Sequence, residues 1–173
     1  PSEQGDVELC YDLGEQNCGY YQLDVLADAG VCVDIASVEN VFENCRPQHT
    51  SYYRNSMRYV TKQGRNRFVS LKRRSGRYLF ITLRNQTTPV KIRHIGLIES
   101  TYPINEIGRF HCSDTRLDKI WEISARTLKL CMEDTFTDCP LYEQTFWVGD
   151  ARNEALFAYS AFGATDIVRN GLT

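Results

Sequence analysis

With 173 residues, the chain is long enough for one domain or two small ones. Its 42% hydrophobic and 24% charged residues are those of an ordinary globular protein, and a net charge of -2 gives no general attraction to nucleic acid or anionic membrane. No apolar run reaches the length of a membrane span, and Pro1-Ser2-Glu3-Gln4 opens no signal peptide, so the expected compartment is the cytoplasm. The chain nevertheless reads as an excerpt of something longer, and an export signal outside it is compatible with this sequence. The seven cysteines are odd in number and contain no Cys-x-x-Cys pair, which predicts free, mostly buried thiols with neither a disulfide framework nor a zinc site.

The first two-thirds read as strands. Tyr21, Leu23, Val25 and Ala27 alternate with polar neighbours, Asp28-Ala29-Gly30 turns, and Val31, Val33 and Ile35 alternate again, which predicts a hairpin. Residues 39–53 are rich in Asn, Gln, Ser and His and read as a long loop with a short helical turn. Strands are expected again over 57–61, 66–71, 77–84 and 90–99, separated by Gly- and Pro-bearing turns. Short strands with no helix between them predict an antiparallel sandwich. Arg65, Arg67, Lys72, Arg73, Arg74 and Arg77 make one stretch basic. That stretch reads either as a nucleic-acid surface or as the outer face of the sandwich or a patch against another domain, and its local character favours the latter two.

Thr101-Tyr102-Pro103-Ile104 reads as a linker, and the apolar period then changes. Ser113 or Asp114 is a suitable helix cap, after which Leu117, Ile120, Trp121, Ser124, Leu128 and Cys131 form one stripe. A second helix is expected from about Asp150, with Ala155, Leu156, Tyr159 and Phe162 on a face and Gly163 as C-cap. A third starts near Thr165 or Asp166. These few helices cannot easily bury their stripes among themselves, so an exposed apolar patch is predicted, relieved by self-association or by fraying of the segment after Gly149.

Between the first two helices lies Asp-Cys-Pro-Leu-Tyr-Glu-Gln-Thr-Phe-Trp-Val-Gly-Asp, residues 138–150. Pro140 and Gly149 disfavour regular structure, and Asp150 falls at a helix start, where carboxylates are favoured. Asp138, Glu143 and Asp150 among Tyr142, Phe146 and Trp147 suit a sugar: carboxylates accept from hydroxyls, and aromatic faces cover C–H faces. The same residues also suit a plain loop with helix caps and a buried tryptophan. Cys139 has no histidine near it in sequence to activate it, and His49, His94 and His111 are isolated. Neither a nucleotide loop nor a metal cluster is visible.

Asp138-Cys139-Pro140, Glu143-Gln144 and Trp147-Val148-Gly149-Asp150 resemble the active-site signature of the bacterial α-L-rhamnosidases, glycoside hydrolase family 78. Gly108 to Asp114 and Leu117 to Trp121 resemble the family's lead into its helical barrel. Leu141-Tyr142 and Thr145-Phe146 depart from the commoner Gln-Arg and Leu-Gly. The resemblance implies an antiparallel β-sandwich followed by the first helices of an (α/α)6 barrel, with residues 1–104 as sandwich and 105–173 as linker and incomplete barrel. It implies a carbohydrate-hydrolysing, inverting enzyme acting on terminal α-L-rhamnosides without a cofactor. Glu143 would be the general acid, Asp138 and Asp150 would hold sugar hydroxyls, and Trp147 would wall the pocket. The catalytic base would be a glutamate beyond Thr173, so the chain alone is expected to be inactive. The neighbouring rings and acids also suggest how Glu143 would be kept protonated, through desolvation and repulsion. The rival expectation is a non-catalytic carbohydrate-binding or interdomain module.

Overall fold

The computed structural model describes residues 5–48 and 55–172. The strand-rich part is built on one long strand, β1 (Val7–Ala27), whose alternating residues 21, 23, 25 and 27 are buried while those between them are half-buried. It is followed by β2 (Cys32–Val38), two short strands β3 (Val41–Phe42) and β4 (Arg46–Pro47), β5 (Ser56–Val60), β6 (Gly64–Val69), β7 (Arg74–Arg84) and β8 (Lys91–Glu99). A single 3-10 turn, Glu43–Cys45, joins β3 to β4 within the expected loop. His49 lies outside the described residues.

All ladders of the main sheet are antiparallel, in the order β5-β2-β7-β1-β6, with β8 also on β1. The early part of β1 pairs with β7; after a register shift between Asp12 and Asn17 its later part pairs with β6 and β8. One strand therefore serves two layers. Tyr21, Ile95 and Leu97 close over Val33, Ile35, Leu79, Ile81 and Leu83 to form the core. The expected hairpin between β1 and β2 is not formed. β6 takes the edge of β1 opposite residues 22–27, and β2 lies instead between β5 and β7, so Asp28-Ala29-Gly30 carries the chain to a different ladder.

Arg65, Arg67 and Arg77 of the basic stretch are matched by acids on the same sheet, as are two further arginines. Arg65 and Arg67 pair with Asp24, Arg77 forks onto Asp12 at 2.7 and 2.8 Å, and Arg58 and Arg84 share Asp34. Hydrogen bonds from Arg65 hold the Asp24 carboxyl down at about 2. Arg73 is itself buried. Of the seven thiols, all free, only Cys18 and Cys131 are buried; Cys10 and Cys45 are exposed.

The chain divides into two compact units, Pro1–Glu99 and Ser100–Thr173. The expected linker belongs with the helices. The Tyr102 N–H donates to the Met132 carbonyl at 2.8 Å, and Tyr102 and Ile104 pack on the helical core. Helix α1 (Thr115–Leu130) is capped by the Asp114 carboxylate, which accepts from the Arg116 N–H. Helix α2 (Val148–Phe162) ends at Gly163 in the left-handed region, the C-cap foreseen from its sequence. Helix α3 is Asp166–Asn170.

The buried face of α2 keeps Ala155 and Phe162 of the expected one but not Leu156 and Tyr159. Ala151, Ala155, Ala158, Ala161 and Phe162 are buried, while Leu156, Phe157 and Tyr159 are exposed. Small side chains let α2 approach Leu128, Met132, Phe136 and Ile167 closely, and the larger ones are left on the outside. Leu117, Ile120 and Ile123 of α1 are exposed too. Phe110, Leu117, Ile120, Trp121 and Phe157 line an apolar groove of about 450 Å³, in which the Phe110 and Trp121 rings stack at 6.0 Å.

One close approach in the sandwich is decisive. A Cβ at Gly19 would lie 1.8 Å from the Ile98 carbonyl oxygen, so the β1–β8 ladder admits no side chain there. Gly19→Ala should cost about 3 kcal/mol or more of sandwich stability in urea denaturation. A loss under about 0.5 kcal/mol would contradict this register.

Candidate active site

After α1, the chain makes a tight turn anchored by two fully buried side chains, Met132 and Phe136, which bridge each other's backbones. The Thr137 N–H returns to the Cys131 carbonyl at 2.8 Å. The acidic loop leaves from this fixed base. It is closed by a reciprocal pair: the Asp138 N–H donates to the Thr145 carbonyl at 3.1 Å, and the Thr145 N–H donates to Asp138 Oδ1 at 2.9 Å. The Cys139 thiol donates to Oδ2 at 3.1 Å. A carboxylate has about four acceptor positions, so Asp138 holds the loop and keeps capacity for a ligand.

Within the closed loop, Gln144 takes a left-handed conformation (φ 52), and its side-chain amide donates to the Pro140 carbonyl at 2.8 Å. This brings Glu143 to the surface. Its Oε2 accepts the Trp147 indole N–H at 2.8 Å, and the Thr145 hydroxyl donates to its backbone carbonyl. Phe146 turns the other way and packs on the helical core. The desolvation of Glu143 expected from its aromatic neighbours is therefore not supplied by this loop. Glu143 is exposed, and Trp147, half open at 50% exposure, meets it with its polar edge. The alternative of a buried tryptophan is likewise not what forms.

Trp147 is the N-cap residue of α2, and its carbonyl accepts the Ala151 N–H. Asp150 is the third residue of the helix, exposed and beside the N-terminal partial charge that favours an anion. The structure therefore places Asp138, Glu143, Trp147 and Asp150 on one closed loop and the helix start that follows it. Cys139 is no candidate nucleophile, since burial pushes its thiol up. His111 pairs with Asp118 at 2.8 Å, and His94 is exposed on β8. Among the described residues, no group of three or more His, Cys, Asp or Glu side chains is arranged to hold a metal.

One acid was missed from the sequence. Glu154 is half-buried, and burial first, then the Asp150 and Asp138 carboxylates, push its carboxyl up to about 7. The available signal was its spacing of four from Asp150, which stacks two acids on one helix face.

The comparisons fit this arrangement. Residues 105–173 match the family model for the bacterial alpha-L-rhamnosidase 6 hairpin glycosidase domain. An alpha-L-rhamnosidase of Formosa agariphila is 25% identical over 167 residues, covering 91% of this chain and 18% of its own length. The crystal structure of a GH78 family rhamnosidase of Bacillus sp. GL1 superposes with a TM-score of 0.94 at 49% identity, over 98% of this chain and 18% of that one. A rhamnosidase from Klebsiella oxytoca with rhamnose bound shares the fold, with a TM-score of 0.84 at 21% identity over 96% of this chain and 35% of that one. The helices and the acidic loop lie within the segment that matches the six-hairpin glycosidase model. The chain is related to the α-L-rhamnosidases of glycoside hydrolase family 78. It spans about a fifth of the length of the Formosa and Bacillus relatives.

The raised Glu154 carboxyl links stability to pH. Folding holds its proton more tightly than the unfolded chain does, so its ionisation penalises the folded state. The penalty is absent below the unfolded value of about 4.5, grows as pH rises, and is complete above about 7. Glu154→Gln should raise stability at pH 8 by roughly 1 kcal/mol, discounted for partial solvation, and leave it little changed at pH 4. Equal effects of the variant at both pH values in thermal melts would contradict this.

Proposed function

We propose that the protein carrying this chain hydrolyses terminal α-L-rhamnosides with inversion of configuration. The observation that carries the reading is the closed 138–145 loop and the helix start after it, which carry Asp138, Glu143, Trp147 and Asp150 within the segment matching the family model. Support for rhamnose as the sugar comes from the names of the relatives, two of which are rhamnosidases at 25% and 49% identity. Glu143 protonates the leaving oxygen, Asp138 and Asp150 accept hydrogen bonds from sugar hydroxyls, and the exposed Trp147 face covers the ring. Inversion needs a second carboxylate roughly 6.5–9.5 Å away to activate water. That base, and the walls that desolvate Glu143 in the working site, come from a part of the enzyme beyond Thr173. This chain by itself is then inactive.

Glu143→Gln in the full-length enzyme should lower turnover of rhamnosides with poor leaving groups by about a hundredfold or more, and of activated aryl rhamnosides far less. Only the former need a proton on the departing oxygen. Equal losses on both would assign Glu143 to binding, as in a non-catalytic carbohydrate-binding module. Turnover of an aryl α-L-rhamnoside by this chain alone, abolished by Glu143→Gln, would overturn the need for a base elsewhere.

A further inference from the structure

Alternate residues of β1 face opposite sides of the sheet. Leu9, Tyr11 and Leu13 pack on the core, so Glu8, Cys10 and Asp12 lie on the outer face. Opposite Cys10 in the ladder stands Phe80 of β7, and opposite Phe80 stands Ala36 of β2; two residues on, Val38 stands opposite Tyr78. Phe80 and Val38 therefore point away from the core, yet both are buried, whereas Glu8, Cys10 and Asp12 on the same face are exposed. Part of the outer face is covered. The connection after β2 supplies a contact there: its 3-10 turn brings the exposed Cys45 thiol into a hydrogen bond with the Cys10 thiol. Asn44 and Cys45 hold this turn with φ of 64 and 56, two successive non-glycine residues in the left-handed region. A cysteine is uncommon there and persists where its surroundings fix it.

Two exposed thiols in contact, distant in sequence, need only lose two electrons and two protons to become a disulfide. We propose that Cys10 and Cys45 form a modification site at which a small-molecule disulfide, of the glutathione disulfide class, oxidises the pair and ties the turn to β1. The Cys45 thiolate attacks one sulfur of the reagent, a mixed disulfide forms, and half of the reagent leaves as thiolate. The Cys10 sulfur then attacks that of Cys45, the mixed disulfide breaks, and the second half leaves. Two protein thiols are oxidised, one reagent disulfide is reduced to two thiols, and these take up the two protons. The order follows from the surroundings of Cys10. Partial burial of its sulfur first, then Cys45 and the Asp12 and Glu8 carboxylates, push that thiol up, so the attack opens at Cys45.

The test uses the full-length protein, reduced and then treated with glutathione disulfide. Remaining thiols are alkylated, and the peptides are read by mass spectrometry. Cys10 and Cys45 should be recovered in one cross-linked peptide pair, with alkylation of both lowered about tenfold against the untreated protein. Backbone amides of residues 43–46 should exchange about tenfold more slowly once the pair is linked. Cys10→Ser should leave Cys45 carrying half of the reagent, because the second attack is missing, while Cys45→Ser should leave Cys10 largely reduced. Wild-type protein in which both thiols stay alkylatable, or carry only reagent, overturns the proposal, and this arm needs no variant to fold. Reagent held by Cys10 in Cys45→Ser as readily as by Cys45 in Cys10→Ser overturns the order of attack. A linked pair with unchanged exchange at the turn overturns the tie to β1.

Discussion

The site depends on the reciprocal pair between Asp138 and Thr145. Two hydrogen bonds, of 3.1 and 2.9 Å, turn a stretch containing Pro140 and Tyr142 into a closed loop. One of them uses the Asp138 carboxylate as a structural acceptor, so the group that would bind sugar also shapes the surface that presents it. The rest follows from closure. Gln144 is turned into the left-handed region, Glu143 is pushed to the surface, and Trp147 is brought to the N-cap of α2 with its indole on Glu143. The base of the loop is fixed by the fully buried Met132 and Phe136.

Local periodicity made much of this fold legible. Alternation located the strands, and Asp114 and Gly163 marked the ends of α1 and α2, because capping is a local matter of one side chain or one φ. The β1–β2 hairpin failed for the opposite reason. A turn sequence permits a hairpin, but which ladder a strand joins is decided by competing edges far along the chain, here those of β6 and β7. Of the face expected on α2, Ala155 and Phe162 are buried, but the large Leu156 and Tyr159 lie outside. Close helix packing selected the alanines instead.

The same contrast holds at the site. Spacing and residue type pointed to Asp138, Glu143, Trp147 and Asp150 together. They could not show that Phe146 turns inward while Trp147 turns outward, and so they overstated the desolvation of Glu143. Glu154 was overlooked because a single glutamate inside a helix carries no pattern of its own. Its character comes from the alanine stripe beside it and from two other acids. The raised carboxyl sits on the helix and the exposed one on the loop. This is the reverse of what the aromatic content of the loop suggests.

Asp138 closes the loop through one oxygen, and under the proposed function it has a second, separable duty, supplying negative charge to a bound sugar. Asp138→Asn separates them, since its carbonyl oxygen can still accept the Thr145 N–H while the charge is gone. The direct measurement is titration calorimetry of L-rhamnose on the full-length Asp138→Asn enzyme, with hydrogen exchange of the Thr145 amide followed in parallel. The Thr145 amide should stay as protected as in the wild type, and affinity should fall by about tenfold or more. Unchanged affinity with the amide still protected would contradict that second duty.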